Sequence, residues 1–425
     1  MKRYIVVIVL FCAVAESISG QFTVISSSEY IQITDQQDIN AIFLFNGINT
    51  STEISYNGTE NFEWRKYDNS FVANTPNFSP DDATGYIVFD KINNKPLYHI
   101  WVIDYSLYHI DFNGFTTNGD CYKLSLNTNF NVPNLVYYDK NNKQKSLKRT
   151  FYVHYVDYTY KDSTWQDIEM NSEHTYPFAD IEINAPKKDV NICISGDNFA
   201  RAMHLSGDTS ICIDYKAIAV ECHLSATVEK RSGTNEYLRD NSENNTVKGS
   251  GPLIVSLENK SNNPVATFFE WKIYKNSAPQ SYNRYNEENI RYSFNETGDY
   301  TAVLKVSNAD GLCTSTDSVR VTVLESLLEV PNAFSPNGDG INDEFRVVFK
   351  SLKTYNIVIF NRWGRVVYKS NDPSKGWDGK IGRNVAASGT YYYVIEATGT
   401  DRYTEGRYKD RNIIYNIKGH INLFK

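Results

Sequence analysis

Short runs of β-branched and aromatic residues recur along almost the whole 425-residue chain, and this feature limits the possible fold more than any other. Typical runs are Tyr86–Phe89, Phe151–Tyr160, Tyr300–Val306 and Tyr355–Phe360. Polar, Gly or Asn turns separate these runs, a pattern typical of β-strands. After the first twenty residues, only Asn198–Met203 has a helical pattern. The sequence therefore predicts an all-β fold of immunoglobulin-like sandwiches in series.

An internal repeat supports the prediction of tandem sandwiches. The segment Phe62–Asn69 (FEWRKYDN) returns as Phe269–Asn276 (FEWKIYKN), and a Thr-Gly-(Asp)-Tyr step follows each copy. A Trp in one strand and a Tyr that opens a later strand are typical core and corner residues of immunoglobulin-like sandwiches. The second copy, which continues into GDYTAVLKVSN, resembles a PKD domain, an Ig-like module of bacterial and archaeal surface proteins.

The repeat and the composition predict five segments. They are a signal peptide (1–20), an Ig-like sandwich (21–112), a β-rich middle domain (113–218), a PKD/Ig-like domain (219–327) and a C-terminal domain (328–425). The middle segment has no copy of the repeat. In the third domain, the polar stretch 231–251 is predicted to be a long loop with a variable contact surface.

The first twenty residues have the layout of a secretory signal peptide. Lys2 and Arg3 precede the apolar run Tyr4–Val14, and small residues follow up to Gly20, near which we expect cleavage. A lipid anchor on Cys12 is the alternative, but a bulky Phe precedes that cysteine. No later stretch approaches the roughly 18 apolar residues of a membrane-spanning helix.

Five cysteines remain after the signal peptide, and an odd number leaves at least one outside an intramolecular bond. Cys193 and Cys212 lie in two similar Ile-Cys-Ile pieces that could face each other on neighbouring strands. Cys222 and Cys313 bracket a segment of sandwich length, so they form the second candidate pair. Cys121 is then unpaired or bonded outside the chain. The Cys and His spacings do not match a zinc site.

The charge is unevenly distributed along the chain. The net charge of −7 combines +1 over residues 1–20, −14 over residues 21–330 and +6 over residues 331–425. The acidic total argues against a nucleic-acid partner, because phosphate binding needs a surplus of Lys and Arg. A basic C-terminal domain is compatible with docking to an acidic partner surface.

Five ordered blocks within the last 95 residues identify the C-terminal domain. In chain order, the blocks are PNAFSPNGDGINDEF at 331–345, NRWG at 361–364, GWDG at 376–379, SGTYYYVI at 388–395 and KGHINLFK at 418–425. The motif positions are Pro331, Asn332, Phe334, Pro336, Asn337, Gly338, Asp339, Gly340, Asn342, Asp343, Asn361, Arg362, Trp363, Gly364, Gly376, Trp377, Asp378, Gly379, Gly389, Tyr391 and Tyr393.

These blocks resemble the gliding-motility-associated C-terminal domain, the type B sorting domain of type IX secretion cargo in Bacteroidetes. The resemblance implies a β-sandwich that outer-membrane components of the secretion apparatus read, and a protein delivered to the cell surface or the medium.

The residues of the blocks are also those that a compact sandwich requires. The segments 337–340, 361–364 and 377–379 are rich in Gly, Asn and Asp, so they predict tight turns. Strand alternation sends Tyr391 and Tyr393 to one face and the tyrosine between them to the other. An EF-hand-like reading of the first turn would put Ser335 at its first position and Arg346 at its twelfth. A cation where calcium needs a bidentate acid argues against a metal site.

Motifs for catalysis or for a cofactor do not occur, so we predict that the protein is not an enzyme. His99, His109 and Asp111 could form a His–carboxylate set, but strand-surface roles are favoured. We therefore predict a binding or adhesion module with a surface glycan or protein ligand. The alternative is a secreted hydrolase of polysaccharide or protein, which requires a cleft in 113–218 with converging carboxylates or a Ser–His pair.

Overall fold

The computed structural model describes residues 20–34, 38–178, 180–205, 210–229, 231, 233, 235–237 and 246–424. The predicted signal peptide lies outside these residues, apart from Gly20. Within them the chain is nearly all β, which confirms the predicted fold class. The described part contains one α-helix, α1 (Asn198–Ala202), where the sequence predicted it. No helix in the described ranges is long and apolar enough to cross a membrane.

The first unit packs a three-stranded sheet on a six-stranded sheet, in the orders β1-β4-β7 and β2-β3-β9-β8-β5-β6. Its strands are β1 (Phe22–Ile25), β2 (Tyr30–Ile33), β3 (Ala41–Phe45), β4 (Glu53–Tyr56), β5 (Phe62–Lys66), β6 (Phe71–Ala73), β7 (Asn77–Phe78), β8 (Thr84–Asp90) and β9 (Lys95–Asp104). Trp64 of the repeat is fully buried between the sheets, and its indole N–H donates to the Pro76 carbonyl at 3.1 Å. This Trp is a core residue, as predicted.

The middle unit follows after a short 3-10 turn, Tyr105–Leu107. Its strands are β10 (Asp111–Gly119), β11 (Lys123–Asn131), β12 (Val136–Tyr138), β13 (Gln144–Ser146), β14 (Thr150–Lys161), β15 (Thr164–Thr175), β16 (Asp180–Asn184), β17 (Val190–Ser195) and β18 (Ser210–Tyr215). They form the sheets β10-β11-β16 and β15-β14-β17-β18 and the hairpin β12-β13. A boundary at residue 112 falls inside β10, so the first unit ends before Asp111.

The third unit repeats the sandwich plan. Its strands are β19 (Leu224–Val228), β20 (Thr246–Ser250), β21 (Leu253–Asn259), β22 (Phe268–Lys275), β23 (Tyr282–Tyr285), β24 (Ile290–Phe294), β25 (Gly298–Ser307) and β26 (Thr314–Leu324). The sheets are β19-β21-β24 and β20-β26-β25-β22-β23. Trp271 is buried like Trp64, and the Tyr300 hydroxyl donates to the Glu296 carbonyl at 2.9 Å, four residues back. The two copies of the repeat thus occupy equivalent places.

The last unit is built around one long-stranded sheet, β28-β35-β34-β30-β31. Its strands are β27 (Leu327–Glu329), β28 (Ala333–Phe334), β29 (Val348–Lys350), β30 (Leu352–Phe360), β31 (Val366–Ser370), β32 (Lys380–Ile381), β33 (Asn384–Val385), β34 (Gly389–Arg402) and β35 (Asn412–Leu423). The pairs β27-β29 and β32-β33 cover its core face. Only Glu325 and Ser326 separate β26 from β27.

The first and middle units share a core. Strand β3 is buried on both faces, because Ala41, Phe43 and Phe45 face their own sandwich while Ile42 and Leu44 face the middle unit. The residues that cover the second face come from β12, from α1 and from the residues next to them; they are Leu135, Tyr137, Phe199, Ala200 and Met203. A strand that is covered on both faces is expected to be apolar at every position, and the sequence of β3 is such a continuous apolar run.

The disulfides correct one prediction from the sequence. Cys193 and Cys212 are bonded on the paired strands β17 and β18, where the Ile-Cys-Ile repeat put them. The proposed Cys222–Cys313 bond is wrong: Cys313 is bonded to Cys121, and Cys222 is a buried free thiol. Sequence spacing favoured a bond within one sandwich, whereas Cys121 lies at the middle unit's β10–β11 turn, against the third unit. The bond therefore ties two units together.

We expect alkylation of the unfolded, unreduced protein, without its predicted signal peptide, to label one cysteine, Cys222, which peptide mass mapping would identify. Burial raises the pKa of the Cys222 thiol to about 11 from an ordinary value of 9.0. Because the folded-state pKa is raised, thiolate formation favours unfolding, and this group lowers stability as the pH climbs from about 9 to about 11. Alkylation of the native protein at pH 7 should be slow. Labelled Cys121 or Cys313 would contradict the bond.

Removing the Cys121–Cys313 bond should loosen the joint between the middle and third units. A Cys121→Ser/Cys313→Ser variant is expected to lose about 3–5 kcal/mol of unfolding free energy, by the loop-closure estimate. Hydrogen exchange should rise around Trp165, whose indole donates to the Lys260 carbonyl across this joint at 2.8 Å. The Cys193→Ser/Cys212→Ser variant is the matched control, because its bond lies inside one sheet and should leave exchange at Trp165 unchanged.

Candidate functional site in the C-terminal unit

The opening motif of the C-terminal unit folds into a hydrogen-bonded turn. The Ser335 amide donates to the Asn342 carbonyl at 2.9 Å and closes the loop. Gly338 and Gly340 have φ values of 82° and 84°, which glycine adopts without strain. The Asp343 carboxylate accepts the amide N–H groups of both glycines, at 2.7 and 2.8 Å. The turn predicted from Asn-Gly-Asp-Gly is thus fixed by an acid that follows it.

The oxygens considered for calcium have other partners. Asp339 accepts the Ile341 amide at 2.8 Å and the Asn337 side-chain amide at 2.9 Å, and these bonds lower the pKa of its carboxyl group. Arg346 pairs with Glu344 at 2.8 Å. Within the ranges the structure describes, no three His, Cys, Asp or Glu side chains are grouped as metal ligands.

Two other motif blocks, 376–379 and 388–395, meet the opening motif at Trp377. This Trp is 1% exposed, and its indole N–H donates to the Lys380 carbonyl at 2.8 Å. Its backbone exchanges two hydrogen bonds with Phe345, at 2.9 and 3.1 Å. The rings of Phe334 and Tyr391 lie 5.4 and 4.9 Å from the indole, between centroids. Three of the five sequence blocks that mark the domain therefore converge on one buried Trp.

Gly379 lies in the same cluster of motif residues around Trp377. A Cβ atom on this residue would meet the Pro336 ring at 2.8 Å, and its φ is 72°. A side chain here would be strained and would separate the Trp377 turn from the opening strand. The Gly in the GWDG block is thus required by close approach as well as by turn geometry.

The Asn361–Gly364 turn presents its aromatic residue to solvent. The Asn361 side-chain oxygen accepts the amides of Trp363 and Arg365, both at 3.0 Å, and Gly364 has a φ of 76°. Trp363 is 76% exposed, with the Arg362 guanidinium 4.5 Å from its ring centroid. A large exposed aromatic held by a rigid turn is a typical contact residue in a protein interface.

The free face of the long sheet continues from this turn. Tyr391 and Tyr393 point into the core while Tyr392 is 50% exposed, which is the predicted alternation. The register places Tyr392 between Phe360 and His420, and the next row contains Val358, Val394 and Lys418. We call Arg362, Trp363, Phe360, Tyr392, Lys418 and His420 the sorting face. It combines exposed rings with positive charge.

The third unit contacts the opposite side of this domain. The Tyr237 amide donates to the Phe349 carbonyl at 2.7 Å, and the Phe349 amide donates to the Asn235 carbonyl at 3.2 Å. The Asn235 side-chain amide donates to the Val347 and Pro373 carbonyls, at 2.8 and 2.7 Å. This segment thus extends the β27-β29 pair.

The prediction of one long loop at 231–251 is therefore wrong in two places. Residues 235–237 pair with β29, and Thr246–Ser250 forms β20, which runs parallel to β26. Residues 238–245 lie outside the described residues. The polar composition of this segment indicated a loop. It gave no sign that the segment pairs with the edge strand β29.

A cavity of about 580 Å³ lies beside this contact. Motif residues Pro331, Gly340 and Asp343 line one side, and Asn235 of the third unit lines another. The sequence pointed to the motif residues, but Asn235 could not be identified because its partner is distant in the chain.

The residues considered for catalysis are not brought together. His99 lies on β9, half-buried and edge-on to Tyr67 at 5.6 Å between ring centroids, and burial lowers its pKa. His109 is exposed, while Asp111 lies in the next unit and accepts a bond from Asn131 at 3.1 Å.

The middle unit does contain a Ser–His contact. The Ser172 hydroxyl lies 2.9 Å from His174 Nε2 on β15, and burial lowers the His174 pKa. Both side chains lie on the side of β15 that also carries Met170, at the margin of the core. Among the described residues, no carboxylate bonds the His174 ring.

Comparisons with known proteins identify two parts of the chain. Residues 328–414 match the type IX secretion signal domain, and residues 115–211 match the fibronectin type III domain. No curated protein matches the chain.

Two solved structures are similar at low identity. Dimeric latent PorU from Porphyromonas gingivalis is 10% identical with a TM-score of 0.15, and the match covers 78% of this chain and 36% of PorU. The three N-terminal domains of the highly immunogenic outer capsid protein (Hoc) of bacteriophage RB49 are 11% identical with a TM-score of 0.21, over 73% of this chain and 99% of that one. The chain thus spans about a third of the length of PorU.

Proposed function

Because residues 328–414 are a type IX secretion signal domain, which marks an exported protein of the cell surface or medium, we propose that the remaining units form the binding module that this domain delivers. The observation that carries the proposal is how the units are joined. A shared core joins the first two units, a disulfide joins the second to the third, and backbone pairing joins the third to the last. Such fixed joints present sheet faces for contact and suit an adhesive protein.

The partner of the C-terminal unit in our proposal is an outer-membrane component of the secretion apparatus with an acidic surface. The sorting face supplies a Trp, a Tyr and the two cations Arg362 and Lys418 on a domain with a net charge of +6 over 331–425. Exposed aromatics and Arg are the residues that dominate binding energy in protein interfaces. Complementary charge would speed the encounter, and export should then weaken as ionic strength rises.

A binding screen with the full secreted chain tests the proposed role of the body. We expect retention on an array of surface glycans or matrix proteins and no release of products from polysaccharide or protein substrates. Ser172→Ala should leave binding and export unchanged, because the side-chain contact of Ser172 in the described part of the chain is with the neighbouring His174. Hydrolysis by the natural chain that Ser172→Ala abolishes would support the alternative, a secreted hydrolase with its site in the middle unit.

A further inference from the structure

The five-stranded sheet of the third unit has one face on its core and one open face. Trp271, Leu304 and Val321 point into the sandwich. On the other face lies an open cavity of about 570 Å³, whose lining includes Tyr274 and Arg320. It is remote in sequence from the C-terminal unit and from the Ser–His contact.

The strand register arranges this face in two polar rows. Tyr274, Thr301 and Arg320 lie side by side on β22, β25 and β26. The neighbouring row runs from Asp299 through Thr322 to Lys248 on β20. Lys248 and Arg320 are therefore diagonal neighbours on adjacent strands, and both line the cavity.

The two cations have no acidic partner in the described part of the chain. Lys248 and Arg320 form no ion pair there, although most other charged clusters on this sandwich are paired, as Glu270 is with Lys272 and Arg284. Asp299, the acid in the cavity, accepts a bond from the Thr322 hydroxyl at 2.7 Å. An unpaired Lys and Arg side by side repel each other, and an anion placed between them relieves that repulsion.

The remaining lining groups suit a sugar. Thr301 donates to the Asn276 side-chain oxygen at 2.8 Å, so hydroxyl and amide groups are already oriented along the floor. Tyr274 offers a ring face, and a hydrogen-bond acceptor at its hydroxyl. The face lacks the apolar centre that a protein interface needs. Because the cavity is open rather than enclosed, a chain can enter and leave along the sheet.

We propose that this face binds an acidic polysaccharide, with a carboxylate or sulfate group between Lys248 and Arg320 and the sugar ring against Tyr274. The inference rests on the proposed binding function and names its ligand class. The body carries −14 over residues 21–330, so an anionic polymer is attracted only where local cations exceed local acids.

Retention of the full-length secreted chain on immobilised polygalacturonate and chondroitin sulfate tests the proposal, with neutral dextran as the reference. The natural chain should bind both acidic polymers, more weakly as salt rises, and should not bind dextran. Lys248→Ser/Arg320→Ser should weaken binding roughly tenfold, since each exposed charge contributes up to about a factor of five. Lys91→Ser/Lys140→Ser removes the same charge from exposed sites in the first and middle units and should change binding little.

Asp299→Asn gives a result of opposite sign. Removing this negative charge should strengthen binding about threefold, which a residue with only a structural role would not do. Equal binding by the natural chain and by Lys248→Ser/Arg320→Ser would overturn the site. Binding to dextran alone, or to a matrix protein alone, would overturn the ligand class and leave the binding function intact. If the natural chain hydrolysed a substrate and were retained on no array, both the proposed binding function and this site would be wrong.

Discussion

Removal of residues 330–425 is expected to leave the protein in the periplasm, with surface and medium fractions falling to background. The segment removed contains almost all of the type IX secretion signal domain. Immunoblots of fractionated cells and protease accessibility on intact cells would measure the outcome. Undiminished delivery of the shortened chain would contradict the role of this domain as the address.

The deletion also uncovers part of the third unit, so it needs a check on folding. Ser250 is fully buried and accepts the Ser351 amide at 2.6 Å, while the Gly251 amide donates to the Ser351 hydroxyl at 2.9 Å. A shortened chain that is degraded would mimic failed export. The complementary experiment places residues 328–425 after a periplasmic reporter, which should then appear outside the cell.

Two Trp substitutions separate recognition from folding. Trp377→Ala should cost about 3–5 kcal/mol of unfolding free energy, because it empties the site where three motif blocks meet, and export should fail through misfolding. Trp363→Ala should leave the melting temperature within error while export falls severalfold, since this side chain is 76% exposed on the sorting face. Normal export of a stably folded Trp363→Ala/Tyr392→Ser variant would place recognition on another surface.

The sequence was most informative where a local pattern decides the structure. Strand alternation predicted the buried Tyr391 and Tyr393, and the repeat predicted the buried Trp64 and Trp271, because both depend on neighbours within one sandwich. The motif predicted the type IX domain, and the family match confirms it. The turn at Asn337–Gly340 followed from residues that tolerate positive φ.

The sequence was least informative about contacts between units. Cys121 pairs with Cys313 over a separation of 192 residues, and nothing in their spacing distinguishes this bond from one to Cys222. The pairing of Asn235 with Phe349 depends on the position of β29, an edge strand of another unit. The cations Lys248 and Arg320 belong to strands far apart in the chain, and the sequence predicted a loop where β20 lies. Such contacts require the three-dimensional arrangement, because no periodicity encodes them.

The joint between the first and middle units contains a buried ion pair that should dominate its stability. The Asp197 carboxylate, fully buried, accepts the Arg149 Nε–H at 2.5 Å and the Tyr105 hydroxyl at 2.8 Å. It also accepts the Ala200 amide at 2.9 Å, as the N-cap of α1. Arg149 is 3% exposed and donates a further bond to the Pro133 carbonyl at 2.8 Å. Groups from both units therefore depend on one carboxylate.

Asp197→Ala is expected to destabilise this joint by roughly 3–5 kcal/mol, because it leaves the Arg149 cation buried without a counter-charge and removes a helix cap. Hydrogen exchange should rise in β3, β12 and α1, and the environment of Trp101, which is buried in the shared core, should change. Lys216→Ala is the matched control, since its pair with Asp189 is exposed and should leave the denaturation midpoint unchanged.

Replacing both partners distinguishes an unpaired charge from a lost attraction. The double variant Arg149→Met/Asp197→Leu should be more stable than Asp197→Ala, because no ion remains in the apolar joint. If the double variant were as unstable as the sum of its single variants, the two side chains would act independently and the ion pair would not organise the joint. A coupling of the expected sign would mean that the Arg149–Asp197 ion pair, with the Tyr105 hydroxyl bonded to both side chains, organises the joint between the first two units.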